Sequence, residues 1–138
     1  MFEYCLYFNT TSLARQLERE WTRAFKRFGL TPSQAFMLRV IFDKKSITNT
    51  DLSIELNISK ATCSRTADGL IKLGFVEKMQ ADQDGRSFEL SPTPNAARIH
   101  NELNLASGDV TKRIKKIIGG DQFETTVNSL RGISTSLR

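Results

Sequence analysis

Apolar residues recur at spacings of three and four between Thr11 and Phe28, the period at which side chains fall on one face of a helix. This pattern predicts a first amphipathic helix, which Gly29 ends. The residues of its apolar stripe are Leu13, Leu17, Trp21, Ala24, Phe25 and Phe28.

A strong helix-start signal predicts a second helix. Thr31 can act as the N-cap, Pro32 suits the first helical position because its missing N–H is not needed there, and Gln34 completes a capping box. The apolar residues Met37, Val40 and Ile41 then carry the helix to about Asp43.

Two short helices are predicted next. Thr48 with Asp51 three residues later makes a capping arrangement, and Asn57 interrupts the helix that it opens. Ser59 is the expected N-cap of the following helix, which stops at Gly74. The residues that this helix is expected to bury are Cys63, Ala67, Leu70 and Leu73. Two short helices joined by a tight turn form a helix-turn-helix.

Residues 75–80 and 87–90 are short strand-like runs, and in the second run Phe88 and Leu90 alternate with polar residues. The six residues between the runs include Asp84-Gly85, a pair that tolerates the backbone of a tight turn. The segment is therefore predicted to be a β-hairpin, which directly after a helix-turn-helix is a wing.

The run Ser91 to Pro94 breaks the chain before a long predicted helix, which Gly108 is expected to bend or soften and Gly119-Gly120 ends. Its apolar markers are Ala97, Leu103, Val110, Ile114 and Ile117. Asp121 with Glu124 is expected to cap a last helix. The apolar residues of that helix are Phe123, Val127, Leu130, Ile133 and Leu137.

The length of 138 residues, 39% of them hydrophobic, fits one domain spanning 1–138. Within it, the winged helix-turn-helix occupies 31–92, and the helices of 1–29 and 93–138 flank it. A compact core does not need all of these helices, so their apolar stripes require another surface. Symmetric dimers are the commonest oligomers, and the flanking helices are therefore predicted to form a two-fold dimer.

The net charge of +5 favours an anionic partner, but the excess is unevenly spread. Residues 1–43 hold 6 basic and 4 acidic groups, 44–90 hold 7 of each, and 91–138 hold 7 and 4. The winged region is thus close to neutral. The net charge of the winged region therefore does not identify its partner. The partner has to be inferred from how charged residues are distributed between the faces of this region.

Other classes of protein are poorly supported by the residues present. The sequence has no pair of histidines and no glycine-rich phosphate loop. It also has no nucleophile and base at a spacing typical of a catalytic pair, so an enzyme is not expected. A single histidine, His100, disfavours a metal site and is expected to be an exposed helix residue. No run of about 20 apolar residues predicts a membrane span, and two dispersed cysteines fit a reducing cytoplasm.

The order and spacing of these motifs resemble the MarR family of bacterial regulators across almost the whole chain. The resemblance rests on three stretches: Leu30 to Gln34, Ile58 to Lys78, and Asp82 to Ser87 followed by Leu90-Ser91-Pro92. The third is the most specific, because a helix-turn-helix pattern alone is degenerate whereas an acid-x-acid-Gly-Arg-Ser tip after it is not.

The resemblance implies a mainly helical, winged helix-turn-helix fold with a small β-hairpin wing and a homodimer formed through the N- and C-terminal helices. The expected order is helix, helix, strand, helix, helix, strand, strand, helix, helix. The implied partner is double-stranded DNA, with no cofactor and no metal. A dimer would hold two recognition helices about 34 Å apart, which matches a palindromic operator.

In the family, the N-terminal half of the recognition helix enters the major groove and the wing-tip arginine, here Arg86, enters the minor groove. Asp82 or Asp84 could hold the Arg86 guanidinium by paired hydrogen bonds, and Gly85 permits the turn. Arg65 is best able to grip guanine with two bonds, although phosphate contact is the safer assignment. The predicted DNA-binding residues are Ser59, Lys60, Thr62, Ser64, Arg65, Lys78 and Arg86. The acidic residues that would have to face away are Asp51, Glu55, Asp68 and Glu77.

Two departures from the family pattern stand out. Gly69 lies inside the recognition helix, where the family often has a long polar residue and where glycine costs about 1 kcal/mol relative to alanine. Local strain and close packing are the two explanations. Thr93-Pro94 replaces the usual small or glycine-containing start of the long helix, which affects the angle between wing and dimer helix.

Each cysteine has a functional and a structural interpretation. Cys63 occupies an aliphatic position of the family pattern and is expected to pack in the core as a small apolar group. Cys5 is the redox candidate, by comparison with the N-terminal reactive cysteine of the family's organic-hydroperoxide sensors. An ungapped alignment from Leu30 puts that cysteine position on Tyr7, so peroxide sensing is a minority hypothesis.

The function predicted from sequence is a sequence-specific, DNA-binding transcription regulator, most often a repressor in this family, released by a small-molecule or oxidative signal. Trp21 and the phenylalanines at 25, 28 and 36 could line a ligand cleft, but aromatic residues at helical spacing more often form core. The alternative is a winged domain used for protein interaction, because a fold does not dictate its use.

Overall fold

The computed structural model describes residues 1–80 and 88–138. The elements follow in the order α1 (Leu6–Phe25), a 3₁₀ turn (Lys26–Phe28), α2 (Pro32–Lys44), β1 (Ile47–Thr48), α3 (Asn49–Leu56), α4 (Lys60–Lys72), β2 (Val76–Gln80), β3 (Phe88–Pro92), α5 (Pro94–Ile118) and α6 (Gly120–Ser136). This is the predicted order of helices and strands, and the fold is confirmed as a mainly helical winged helix-turn-helix.

Helix α1 begins at Leu6, five residues before the predicted start at Thr11. Polar side chains in its first turns bond back to the backbone: the Asn9 amide donates to the Cys5 carbonyl at 2.8 Å, and the Thr11 hydroxyl donates to the Tyr7 carbonyl at 2.9 Å. The residues before Thr11, which the predicted helix left out, are thus part of α1. At the other end, Gly29 adopts a φ of 70°, as expected of a glycine that ends a helix.

The predicted caps of the central helices are present. The Thr31 hydroxyl accepts from the Gln34 N–H at 3.2 Å while the Gln34 side-chain oxygen accepts from the Thr31 N–H at 3.0 Å, which completes the capping box of α2. Thr48 caps α3 and Ser59 caps α4 by the same type of bond, at 3.2 and 3.1 Å. These bonds satisfy N–H groups that a helix start leaves without partners.

A three-stranded antiparallel sheet lies beside α4, with strand order β1-β3-β2. Lys78 of β2 faces Leu90 of β3, and Leu90 in turn faces Ile47 of β1. Strand β3 continues through Pro92, where sequence predicted a break from Ser91 onwards. Pro92 lies beyond the two residues of β1, so the strand there has a neighbour on one side only, a position that tolerates proline.

The C-terminal helices differ from expectation in their ends. Helix α5 runs without interruption through Gly108. The predicted Asp121 cap of α6 is wrong, because the N-cap is Gly119 at a φ of 89° and Asp121 lies in the first turn. Glycine adopts this backbone conformation without the steric cost of a side chain, so the chain turns at Gly119, two residues earlier than a polar cap would place the start.

One core joins α1, α2, α3, α4, the sheet and α5, while α6 contributes no buried residue. Cys63, Ala67 and Leu70 of α4 are buried as predicted. Leu73 is 46% exposed, so the prediction that it is buried is wrong; it is the C-cap residue, where the helix turns away from the core. Among the described residues, no helix is long and apolar enough to cross a membrane.

Candidate nucleic-acid interface

The N-terminal half of α4 presents hydrogen-bond donors outward. Ser59, Lys60, Ser64 and Arg65 are all exposed, and Thr62 is half-buried. Because Cys63, Ala67 and Leu70 anchor the opposite side of the helix in the core, the outward direction of these side chains is fixed. The start of this helix can therefore offer hydroxyl, ammonium and guanidinium groups to a surface laid across it.

The Thr62 hydroxyl organises this first turn. It accepts hydrogen bonds from the Ser59 hydroxyl at 3.0 Å and from the Arg65 guanidinium at 3.2 Å. One of the five N–H groups of Arg65 is thus used to hold the side chain along the helix toward its N-terminus, where the helix dipole favours anions. Arg65 is placed to meet an anion or a base edge at the helix start.

Asn49 fixes the position of α4, a role that sequence reasoning missed. Its side-chain amide donates to the Lys60 carbonyl at 3.3 Å, and its own carbonyl accepts from the Cys63 thiol at 3.7 Å. Both contacts join the first turn of α3 to the first turn of α4. Asn49 follows the Thr48 cap and looks like any early helix residue, and its partners, 11 and 14 residues away, leave no local signal.

A groove of about 390 Å³ separates α4 from the hairpin. Ser64 and Asp68 line it from α4, while Lys78 and Phe88 line it from the two strands. The Lys78 ammonium lies 4.2 Å from the centroid of the Phe88 ring, a cation–π contact that holds the charge on the α4 side of the hairpin. The structure thus brings the predicted residues Ser64 and Lys78 to one groove.

The predicted separation of acidic and basic faces holds only in part. Asp51 and Glu55 line a different groove, with Lys44 and Glu89. Glu77 neighbours Lys78 on β2, where successive side chains point to opposite faces of the sheet. Asp68 contradicts the prediction because it shares the groove of Ser64 and Lys78. The i, i+4 spacing puts Ser64 and Asp68 on one side of the helix, so a carboxylate lies among the candidate contacts.

The predicted wing-tip residues Asp82, Asp84, Gly85 and Arg86 lie outside the described residues. Their assignments remain predictions from sequence. The described strands β2 and β3 bring the chain to the tip from both sides, with Gln80 paired to Phe88 in register.

A second cleft, of about 480 Å³, lies on the other side of α4, between that helix and helices α1 and α2. Trp21 and Phe36, two of the four aromatic residues for which core packing was favoured over a cleft, line it together with Thr62 and Thr66 of α4. Phe25 is fully buried in the core instead, and Phe28 packs half-buried against it. The lining is mainly apolar, which suits a small hydrophobic molecule.

The two cysteines occupy different environments. Burial raises the pKa of the Cys63 thiol, which is fully buried and donates to the Asn49 carbonyl, so the prediction of core packing is confirmed. Cys5 is exposed and is the N-cap residue of α1. The described residues contain no group of three or more histidine, cysteine or carboxylate side chains that could hold a metal ion.

Comparison with known proteins extends these observations. The HTH-type transcriptional regulator BilQ of Clostridioides difficile is 26% identical over 108 residues, which cover 78% of this chain and 73% of that protein. A MarR protein from Peptoclostridium difficile superimposes with a TM-score of 0.86 at 21% identity, covering 98% and 88% of the two chains. A mutant of MarR from E. coli, solved in complex with operator DNA, gives a TM-score of 0.84 at 20% identity over 96% and 97%.

These structures share the winged helix fold found here. The model of the MarR family matches residues 30–88, from the capping box of α2 to Phe88 at the start of β3. Over these residues the chain is similar to the MarR family.

Proposed function

We propose that the protein is a sequence-specific, DNA-binding transcription regulator that represses genes by binding palindromic operators as a dimer in the cytoplasm. The observation that carries the proposal is the first half of α4, where exposed donors surround an arginine held toward the helix N-terminus. A helix presented in this way, beside a hairpin bearing Lys78, has the layout by which winged proteins bind the major groove.

The terminal helices support the dimer. The apolar stripe of α6 is exposed, with Val127, Leu130 and Ile133 each about 40% exposed and Leu137 80% exposed. Leu6 and Tyr7 at the start of α1 are more than half exposed as well. Exposed apolar surface of this kind marks interaction sites, and a second copy of the chain would cover it.

The cleft between α1 and α4 supports regulation by a small apolar effector. Thr62 belongs both to this cleft and to the hydroxyl contacts that hold Arg65. A molecule bound there would touch a helix of the proposed dimer and the recognition helix together, so it could change the distance between the two recognition helices of a dimer. Exposed Cys5 remains the candidate for an oxidative signal.

Selection from a duplex library with a random centre of about 20 base pairs, followed by fluorescence anisotropy on the enriched duplex, tests the proposal. Arg65→Ala and Arg86→Ala are each expected to weaken binding by about 5- to 150-fold, since a specific arginine contact is worth about 1–3 kcal/mol. Asp68→Asn is expected to have the opposite effect, because it removes a carboxylate from the groove of Ser64 and Lys78.

Arg138→Ala, a change at the last residue of the chain, is the matched control and should bind like the wild type. Affinity should also fall steeply with salt, as expected when phosphate contacts release counterions. Failure to enrich any duplex, or equal binding by the Arg65, Arg86 and Arg138 variants, would overturn the proposal. The first outcome would favour the use of this winged domain for protein interaction.

A further inference from the structure

Helices α2 and α5 are joined by a chain of hydrogen bonds that the proposed DNA contacts do not use. The Arg39 guanidinium of α2 donates to the Asn104 side-chain oxygen at 2.7 Å and to the Ser107 hydroxyl at 3.0 Å. The Trp21 indole of α1 donates to the same hydroxyl at 3.1 Å, and the Asn104 amide nitrogen lies 3.2 Å from Nε2 of His100. We call these five residues, Trp21, Arg39, His100, Asn104 and Ser107, the α2–α5 joint.

The direction of donation along this joint is determined by Arg39. Partial burial lowers the pKa of the Arg39 guanidinium, yet the group stays protonated at any physiological pH and can only donate. The Asn104 oxygen must therefore face Arg39, and its NH₂ group must face His100. Nε2 of His100 is then the acceptor, so the imidazole is neutral and carries its proton on Nδ1.

Protonation of His100 is incompatible with this arrangement. A proton from solvent on Nε2 would set two donors, the imidazolium and the Asn104 NH₂, against each other. Rotating the Asn104 amide would relieve that clash, but it would turn the NH₂ group toward Arg39, which is also a donor. Whichever contact gives way, one hydrogen bond between α2 and α5, or within α5, is lost.

The His100 ring is only partly covered by the rest of the protein. Its ring stacks on Phe42 with centroids 3.7 Å apart and an interplanar angle of 19°, and it is half-buried at the edge of a cavity of about 370 Å³. The charged groups that line the same cavity are Arg39, Asp43 and Lys44 from α2 and Glu55 from α3. The formal charges of these four groups balance.

The position of the joint links it to DNA binding. Helix α2 belongs to the winged unit, whereas α5 leads to the terminal helices of the proposed dimer. We propose that protonation of His100 loosens the α2–α5 joint and thereby weakens operator binding, so that the protein responds to acidification. This inference rests on the proposed function, because it assigns a form of regulation to the DNA-binding surface.

The first test does not involve DNA. The protein has one histidine and one tryptophan, so both signals can be identified in nuclear magnetic resonance spectra without further assignment. Long-range nitrogen–proton spectra at pH 8 are expected to show the Nδ1–H form of His100. The Trp21 indole N–H signal, which reports on Ser107, is expected to differ between spectra recorded at pH 8 and at pH 5. This difference should vanish in His100→Gln, whose amide oxygen can accept from Asn104 but cannot titrate.

The second test measures binding to the enriched duplex at pH 8 and pH 5.5. The wild type is expected to lose about 10-fold in affinity at the lower pH, a typical size of coupling between two sites. His100→Gln should lose less than about twofold. Asn104→Asp offers a carboxylate that accepts from both Arg39 and the imidazolium, so it should also abolish the acid-induced loss. A shuffled duplex, bound through charge alone, should not weaken in acid.

Two results would contradict the hydrogen-bonding arrangement of the joint. One is an Nε2–H form of His100 at pH 8, and the other is a Trp21 indole N–H signal that is the same at pH 8 and at pH 5. If the spectra agree with the joint but the acid-induced loss of affinity persists in His100→Gln, the link between the joint and DNA binding would be overturned. If no duplex is enriched, the proposed function fails, while the spectra still decide whether the joint responds to protons.

Discussion

Single hydroxyl and amide groups determine how the recognition helix α4 is held. Thr62 accepts from Ser59 and Arg65, and Asn49 ties the backbone of α4 to the start of α3. Asp68 then places a negative charge in the groove between α4 and the hairpin. The balance of charge at the interface is therefore decided by individual side chains rather than by the net charge of the winged region.

The Cys63 thiol provides a prediction at this scale. Because burial raises its pKa and the Asn49 carbonyl accepts its hydrogen, the thiol should react with a thiol-specific reagent only after unfolding. In a Cys5→Ser variant at pH 8, we expect the native protein to react at least about 100-fold more slowly than the protein in denaturant. Comparable rates in the two states would contradict the burial of Cys63.

The raised pKa of the Cys63 thiol also affects the stability of the fold. A thiol whose pKa is raised in the folded state keeps its proton when the unfolded chain releases it, so the unfolding free energy should decline above about pH 8.5. Cys63→Ala should lack this contribution to the decline.

At the scale of elements, α2 and α4 approach each other at Gly69. A Cβ atom at this position would lie 2.9 Å from Nε2 of Gln34, the residue whose side-chain oxygen completes the capping box of α2. Close packing is thus the explanation for a glycine inside the recognition helix. This contact links the cap of α2 to the choice of residue at position 69 of α4.

Gly69→Ala tests this link. Alanine should gain about 1 kcal/mol of helix propensity, but moving Gln34 should disturb a cap worth about 1 kcal/mol, so we expect a net change within about 0.5 kcal/mol. In a Gln34→Ala background the same substitution should stabilise by about 1 kcal/mol, as should Gly108→Ala in the wild type, where nothing lies near the added Cβ. Urea unfolding at one protein concentration measures all three. Equal effects of Gly69→Ala in both backgrounds would show that the two residues are not coupled.

At the scale of the whole molecule, α6 packs mainly against α5 among the described residues, and none of its own residues is buried. Its exposed stripe and the exposed start of α1 lie outside the common core. A helix of 17 residues gains little stability in isolation, because most helical stability in proteins comes from tertiary packing. The terminal helices are therefore the part of the molecule that most needs a partner.

Leu130→Glu should disrupt the proposed dimer. Each leucine buried in an interface contributes about 1.5–3 kcal/mol, and two copies would be lost, so the dimer dissociation constant should rise at least about 100-fold. Sedimentation velocity at micromolar concentration is expected to show a dimer for the wild type and for Asn128→Glu, a change on the opposite side of α6, and a monomer for Leu130→Glu. A dimeric Leu130→Glu protein would exclude α6 from the interface.

The sequence by itself determined the order of elements, the capping box at Thr31 and Gln34, and the helix start at Ser59. These features depend on residues within about four positions of one another, where backbone geometry and hydrogen-bonding needs are local. It also indicated Ser64, Arg65 and Lys78 as candidate contacts, since the family pattern records their positions along the chain.

Only the tertiary structure decided which side chains meet across elements. Asp68 joins Lys78 in one groove, Asn49 holds α4, and Arg39 reaches Asn104 and Ser107, which lie 65 and 68 residues further along the chain. Such contacts follow from the packing of whole helices, which places residues together regardless of their separation in sequence. A periodic pattern shows which face of a helix is apolar, but it does not show which residue of another element will lie against it.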